Sequence, residues 1–337
     1  MAQVTTEGTE FWFGFMQNND GGNQVSSLEV FFTSKEVANV KMTLFQNGQV
    51  IDLLVNPGQT VKQVVNASSS NPFAASGSGN VQNKGINVTS DVPISVYAFN
   101  NRQFSGDAAV ILPINTLGKK YIASAFYEPH PGNSDDFATG PSQSEILIVG
   151  TVDDTTIEIT PSVTTTDGKS AGAAFPITLQ AGQIYQLQAN DDLTGTLIES
   201  VSQDEDDCKN FAVFGGNVWT RVTAGDNCAT TNGGANYPGG FAADHLYDQM
   251  YPVNTWGRSY IAAPFELREG YVLQITAAED DTEIRVGTAV INLGAGRSTK
   301  IVENDITLIE SNKPIQVAQF SQSLSCDANI TSGPGDP

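Results

Sequence analysis

The sequence predicts an all-β fold: a six-bladed β-propeller-like ring built from three diverged copies of one repeat, with two four-stranded units in each copy. Three observations carry this. A strand-and-turn pattern recurs three times along the 337 residues, apolar and polar side chains alternate with a period of two inside the runs, and Gly 32 and Pro 15 supply abundant turns. Helical periodicity over three turns is absent, and Phe241 to Met250 is the one stretch that reads as a short helix.

The elements follow in order. Thr9 to Phe15 opens the chain as a strand with no turn before it. Leu28-Glu29-Val30-Phe31-Phe32 and Val40-Lys41-Met42-Thr43-Leu44 read as strands, and Pro57-Gly58-Gln59 marks a hairpin turn. Ser90-Asp91-Val92-Pro93-Ile94-Ser95-Val96-Tyr97 closes the first copy. The second opens with Pro113-Ile114-Asn115-Thr116-Leu117-Gly118-Lys119-Lys120-Tyr121, which returns as Pro252-Val253-Asn254-Thr255-Trp256-Gly257-Arg258-Ser259-Tyr260 at the head of the third. Ile146 to Val149 runs into Asp153-Asp154-Thr155 and then Ile157-Glu158-Ile159; the third copy answers with Val272 to Ile275, Asp280-Asp281-Thr282 and Ile284-Arg285-Val286. Ala181-Gly182-Gln183 and Ala295-Gly296-Arg297 repeat the hairpin signal. The third copy closes on Ser311 to Val317 around Pro314, whereas the middle one carries Cys208 ahead of Phe211-Ala212-Val213-Phe214.

A copy of about 110 to 140 residues holds roughly eight strands, which fits two blades. The copies span about 9–112, 113–251 and 252–337 and together make a single repeat-built domain over 1–337. Pairing the opening strand with the last copy seals the ring and leaves no bare edge. The alternative is three tandem β-sandwich domains.

Charge and composition exclude whole classes of function. Sixteen Lys+Arg against 37 Asp+Glu give a formal net charge of -21, a field that repels phosphate backbones and anionic lipid surfaces, so nucleic acid is not a partner. Such acidity serves solubility, divalent cations or a basic partner. No run reaches the ~20 apolar residues of a membrane span, so no membrane insertion is expected. The start at Met1-Ala2-Gln3 reads as a mature secreted chain without its leader. Among three cysteines, Cys208 and Cys228 flank one strand and loop and are expected to form a disulfide, with the partner of Cys326 lying beyond residue 337.

Four motifs resemble the N-terminal domain family of the IgG Fc-binding protein: Gly8-Thr9-Glu10-Phe11-Trp12-Phe13-Gly14-Phe15-Met16, Phe211 to Asn217, Asp244 to Pro252, and Gly335-Asp336-Pro337. The resemblance covers essentially the whole chain. It implies a bacterial surface or mucus-associated binding module, one of several domains in a large polypeptide exported by the type IX system. The family's domain continues past Gly-Asp-Pro, so the sequence reads as a piece cut inside it.

The residues themselves point away from catalysis. There are two histidines, His130 and His245, and no Gly-x-Ser-x-Gly, His-Glu-x-x-His or phosphate-cradling glycine loop. The Asp-Asp-Thr pairs recur at matched hairpins, where aspartate caps turns by bonding backbone. Calcium is the one cofactor considered, with Asn18, Asp20 and Asn23 as hard-oxygen ligands on a glycine-rich loop. Asp204-Glu205-Asp206-Asp207 is a second acidic run. A long insertion between Asn217 and Met250 supplies the ligand-binding candidates Trp219, Arg221, Tyr237, Asp244, His245 and Tyr247, because aromatic, amide and charged groups on loops of a rigid scaffold make recognition surfaces. These readings give a non-enzymatic extracellular binding or adhesion module of a larger secreted or cell-surface protein, whose partner is a glycan or an extracellular protein. The alternatives are a propeller-type carbohydrate-active enzyme and an architectural or filament subunit.

Overall fold

A computed structural model describes residues 5–19, 26–68, 71–102, 105–128, 143–202, 207, 209–224, 243–266, 268–323 and 326. The first copy folds as β1 (Glu7–Phe13), β2 (Ser26–Ser34), β3 (Ala38–Leu44), β4 (Gln49–Val55), β5 (Thr60–Ser68), β6 (Val81–Gln82), β7 (Ile86–Arg102) and β8 (Ser105–Ile111). Its organiser is β7. Residues 86–95 of β7 pair with β1 and residues 86–90 with β3, while residues 94–102 pair with β2 and residues 96–102 with β8. The strand therefore passes from one layer, β4-β3-β7-β1, to a second, β5-β2-β7-β8. The crossing falls at Asp91-Val92-Pro93, where proline cannot donate to a ladder. Leu28, Val30 and Phe32 of β2 and Val40, Met42 and Leu44 of β3 meet in one buried core between the layers.

The second copy follows the same order with β9 (Lys120–Ile122), β10 (Ser144–Gly150), β11 (Thr155–Thr160), β12 (Phe175–Leu179), β13 (Ile184–Ala189), β14 (Leu197–Ser200), β15 (Phe211–Thr220) and β16 (Asp244–Gln249). Here the shared strand is split: β14 lies between β11 and β9, and β15 between β10 and β16. The third has β17 (Gly257–Ala262), β18 (Tyr271–Ala277), β19 (Thr282–Val286), β20 (Ala289–Leu293), β21 (Ser298–Glu303) and β22 (Thr307–Ser321). Its long strand β22 is shared again, pairing with β17 and β19 on its first half and β18 on its second. Gln316 to Ser321 of β22 pair only with β18, and among the described residues no strand lies along their other side.

Contacts between copies explain the apolar runs. β10 is buried along its whole length. Leu147 and Val149 join the first copy's core while Ile146 and Ile148 face their own, so both sides of the strand are covered. The Pro-x-Asn-Thr turns are the joints. Each forms one turn of 3₁₀ helix, at Ile114–Thr116 and Val253–Thr255. Pro113 seats on Gly8 and Pro252 on Gly118, where a Cβ would stand 2.3 and 2.5 Å from the proline Cβ, so glycine is required. The tyrosine three residues beyond that glycine has its own task. Tyr121 Oη accepts the Gly118 N–H (2.9 Å) and donates to the Phe211 carbonyl (2.8 Å); Tyr260 does the same with Gly257 and Ile315, both at 2.7 Å.

The all-β expectation holds, and the strand pairings do not confirm the six-bladed ring: each copy is a curled set of strands whose two layers share a strand. Two local expectations differ. The opening strand β1 pairs with β7 of its own copy and not with the last. Within Phe241 to Met250, residues 244–249 form strand β16, because hydrogen bonding to β15 overrides a weak local helix pattern. The Asp-Asp-Thr segments are turns: Asp153 and Asp280 accept the Ala181 and Ala295 N–H at 2.9 Å each, and Asp154 and Asp281 take positive φ of 57° and 53°. Among the described residues no helix is long and apolar enough to cross a membrane.

Removing the buried hydroxyl tests the joint. Tyr121→Phe leaves the Gly118 N–H and the Phe211 carbonyl without that partner, and urea unfolding should show a loss of about 1–3 kcal/mol. The partly exposed Tyr260→Phe should cost less, and equal stability of Tyr121→Phe and the parent would remove the tyrosine from this role.

Candidate functional site

The three copies converge on a cleft of about 700 Å³. Asp107 and Val110 of β8 form one wall, and Asp248 and Gln249 of β16 another. Tyr251 and Trp256 come from the second Pro-x-Asn-Thr joint, and Gln316 to Phe320 from the second half of β22. The described lining holds two carboxylates and no lysine, arginine or histidine.

The two carboxylates differ. Asp107 is tied to backbone: one oxygen accepts the Ala108 N–H (2.7 Å) and the other the Tyr247 N–H (2.8 Å). Asp248 accepts the Gln249 N–H (2.8 Å) and is otherwise exposed to the cleft. Surrounding protein replaces much of the solvent around it, and this desolvation raises its pKa to about 6, against the smaller lowering by the Gln249 bond. Tyr251 and Tyr247 are both held protonated, first by burial and then by the nearby charge of Asp248. Gln249 is buried; its side-chain Oε1 accepts the Leu112 N–H at 2.8 Å, and its Nε2 has no partner among the described residues. Gln316 Oε1 is in the same condition. A buried amide donor without an acceptor costs roughly 1–3 kcal/mol. The Trp256 indole N–H is spent on the Tyr251 carbonyl (3.1 Å), which fixes the ring on the cleft wall.

The residues expected from sequence lie elsewhere, apart from Tyr247. His245 is buried, with Nδ1 on the Asn217 carbonyl (2.8 Å) and Nε2 on the Asn100 amide (3.0 Å), so Nδ1 carries the proton and Nε2 accepts. Burial lowers its pKa to about 4, and a neutral, doubly bonded imidazole has nothing left for a ligand. Asp244 caps Gly106 N–H (2.6 Å), and Tyr247 donates to the Gly14 carbonyl (2.8 Å) while its ring stacks on Phe214 and borders the cleft. These three tie the second copy to the first. Trp219 is partly buried and Arg221 is buried. Asn18 is buried too, its side-chain oxygen accepting from Ser105 Oγ (2.8 Å) and Asn19 N–H (2.7 Å), so it faces protein where a cation ligand would face outward. Asp20, Asn23, His130, Cys208, Cys228, Tyr237 and Asp204 to Asp206 lie outside the described residues. Among the described residues no group of three His, Cys, Asp or Glu could hold a metal. Sequence reasoning missed the cleft, although Trp256 in place of Leu117 at matched repeat positions was a visible sign.

Cys326 is disulfide-bonded, and its N–H donates to Ser323 O (2.8 Å) while the Ser323 N–H donates to Val222 O (2.9 Å), which places it past the C-terminal end of β15. The expected pair, Cys208 and Cys228, lies outside the described residues.

Asp248 also predicts a pH effect on stability. Its folded pKa of about 6 exceeds the ordinary 3.8, so the folded chain holds the proton more tightly than the unfolded one. The ionised carboxylate thus costs stability progressively as pH rises from about 4 to 6, and fully above that. Asp248→Asn should melt higher than the parent at pH 7.5 and at the same temperature at pH 4. An equal difference at both pH values would sink the assignment.

The family model described as IgGFc binding protein matches residues 107–337. The IgGFc-binding protein of Homo sapiens is 23% identical over 322 residues, covering 92% of this chain and 5% of the human protein, so the chain spans about one-twentieth of that relative's length. No solved structure matches. The family is one of binding proteins and not of enzymes. With more than half of its length matched, the chain belongs to the IgGFc-binding protein family.

Proposed function

We propose that this chain is a non-enzymatic extracellular binding module that holds a protein ligand in the cleft between its three copies. One observation supports this most: Asp248, Tyr251 and Trp256 line one open cleft whose described walls carry no lysine, arginine or histidine. Aromatic walls provide contact area, and the amide and carboxylate select a partner with donors and acceptors. Membership in a family of binding proteins agrees with this reading. A glycosidase needs two carboxyls free to reach a sugar. Asp107 is consumed by two backbone N–H groups, which leaves Asp248 as the remaining carboxylate of the described lining.

The name of the human relative makes immunoglobulin Fc the first ligand to test, with a glycan array beside it. Saturable binding to a protein ligand, weakened about tenfold or more by Trp256→Ala and accompanied by no turnover, is the expected result. Binding untouched by Trp256→Ala would move the site out of the cleft. Turnover of any glycan would make the chain an enzyme.

A further inference from the structure

We propose that the cleft recognises a basic side chain, lysine or arginine, on the surface of a partner protein, and holds it between the Asp248 carboxylate and the rings of Tyr251 and Trp256. This deepens the reading of the cleft as the binding site and rests on it. What carries it is a set of exchanges between matched positions of the two Pro-x-Asn-Thr joints. The motif and the strand before it align Ala109, Leu112 and Leu117 of the first joint with Asp248, Tyr251 and Trp256 of the second. Strand register agrees, since Ala109 lies opposite Ala98 of β7 and Asp248 opposite Gly215 of the corresponding β15. At the first joint the three residues are plain core, exposed by 1%, 1% and 6%. At the second, an acid and two aromatic rings stand in their places, and all three line one cleft.

Packing gives no reason for that trio. An aspartate where its counterpart is a buried alanine loses solvation, and its bond from the Gln249 N–H offsets that only in part. Together the three groups have the chemistry that receives a cation. The carboxylate supplies charge, ring faces attract an ammonium or guanidinium, and their apolar surface covers the methylene stem. The charge of Asp248 is felt at Tyr251 and helps to keep it protonated, so the two stand close together. The other titratable groups of the described lining are engaged. Asp107 is held by two backbone N–H groups. The Tyr247 and Tyr260 hydroxyls donate to the Gly14 and Ile315 carbonyls, and burial keeps both protonated. The net charge of -21 draws basic partners toward the chain as a whole, and Asp248 selects which group enters.

The probes are two blocked tripeptides, acetyl-Gly-Arg-Gly-amide and its neutral citrulline counterpart, titrated with the whole chain and followed by the peptides' own NMR signals. The arginine peptide should bind saturably at pH 7.5, and the citrulline peptide about tenfold more weakly or less, the loss of one charge-assisted contact. Asp248→Asn should remove that difference. Trp256→Leu, which installs the residue of the first joint, should weaken the arginine peptide as well. Acidification to pH 5 protonates Asp248, so arginine binding should fall in the parent and stay level in Asp248→Asn. Equal binding of the two peptides, no arginine binding at millimolar concentration, or arginine binding that Asp248→Asn leaves unchanged each overturns the proposal; the last is what attraction to net charge alone produces. If the selectivity for arginine fails while Trp256→Ala still impairs binding of a protein ligand, the cleft remains the site and takes a neutral group. If Trp256→Ala is also silent, both readings fall.

Discussion

The architecture depends on one constraint: a single long strand serves both layers of a copy. β7 and β22 cannot run straight through two sheets, so each bends at an Asp- or Asn-containing segment ending in proline, Pro93 or Pro314. The half before the bend carries the first and third strands of the copy, and the half after it carries the second and eighth. Every other pairing follows from that division. In the middle copy the division is complete, with β14 and β15 as separate strands, and the same neighbours are kept. The division also makes the eighth strand an edge in the first two copies. Its position beyond β22 has no described occupant, and the cleft stands there.

Polar groups join the copies as much as apolar ones do. Gln274 is buried and donates to Ser124 Oγ and the Ala125 carbonyl, both at 2.8 Å. Lys300 pairs with Asp192 (2.8 Å) and stands 3.9 Å from the centre of the Phe126 ring. His245 and Asn100 do the corresponding work between the first and second copies. Such contacts are directional, and a buried polar group is costly when its partner moves, so they hold the copies at one angle. A cleft lined by three copies keeps its shape only if those angles are kept. The aspartate and histidine that looked like ligands in sequence are part of this frame.

Much of the fold was legible in the chain. Strand positions follow from period-two alternation, and the three copies from repeated motifs. Pro252 to Tyr260 repeats Pro113 to Tyr121 because the same glycine seat and the same tyrosine bridge recur at each joint. The Asp-Asp-Thr segments were readable as turns because the chemistry that makes them turns is local. The site was not legible in this way. Asp248, Gln249, Trp256 and Gln316 belong to different copies, and no spacing rule links them.

The sequence alone therefore determined the all-β class, the repeat, the turns and the acidity, since each depends on neighbours within a few residues or on composition. Tertiary structure decided the rest. Which distant strands pair, and so how one long strand comes to be shared by two layers, does not follow from alternation, which reads the same for many pairings. Which aspartate stays free depends on whose backbone N–H groups reach it, so Asp107 is spent and Asp248 is open. Those are long-range facts, set by how the copies pack, and they place the cleft.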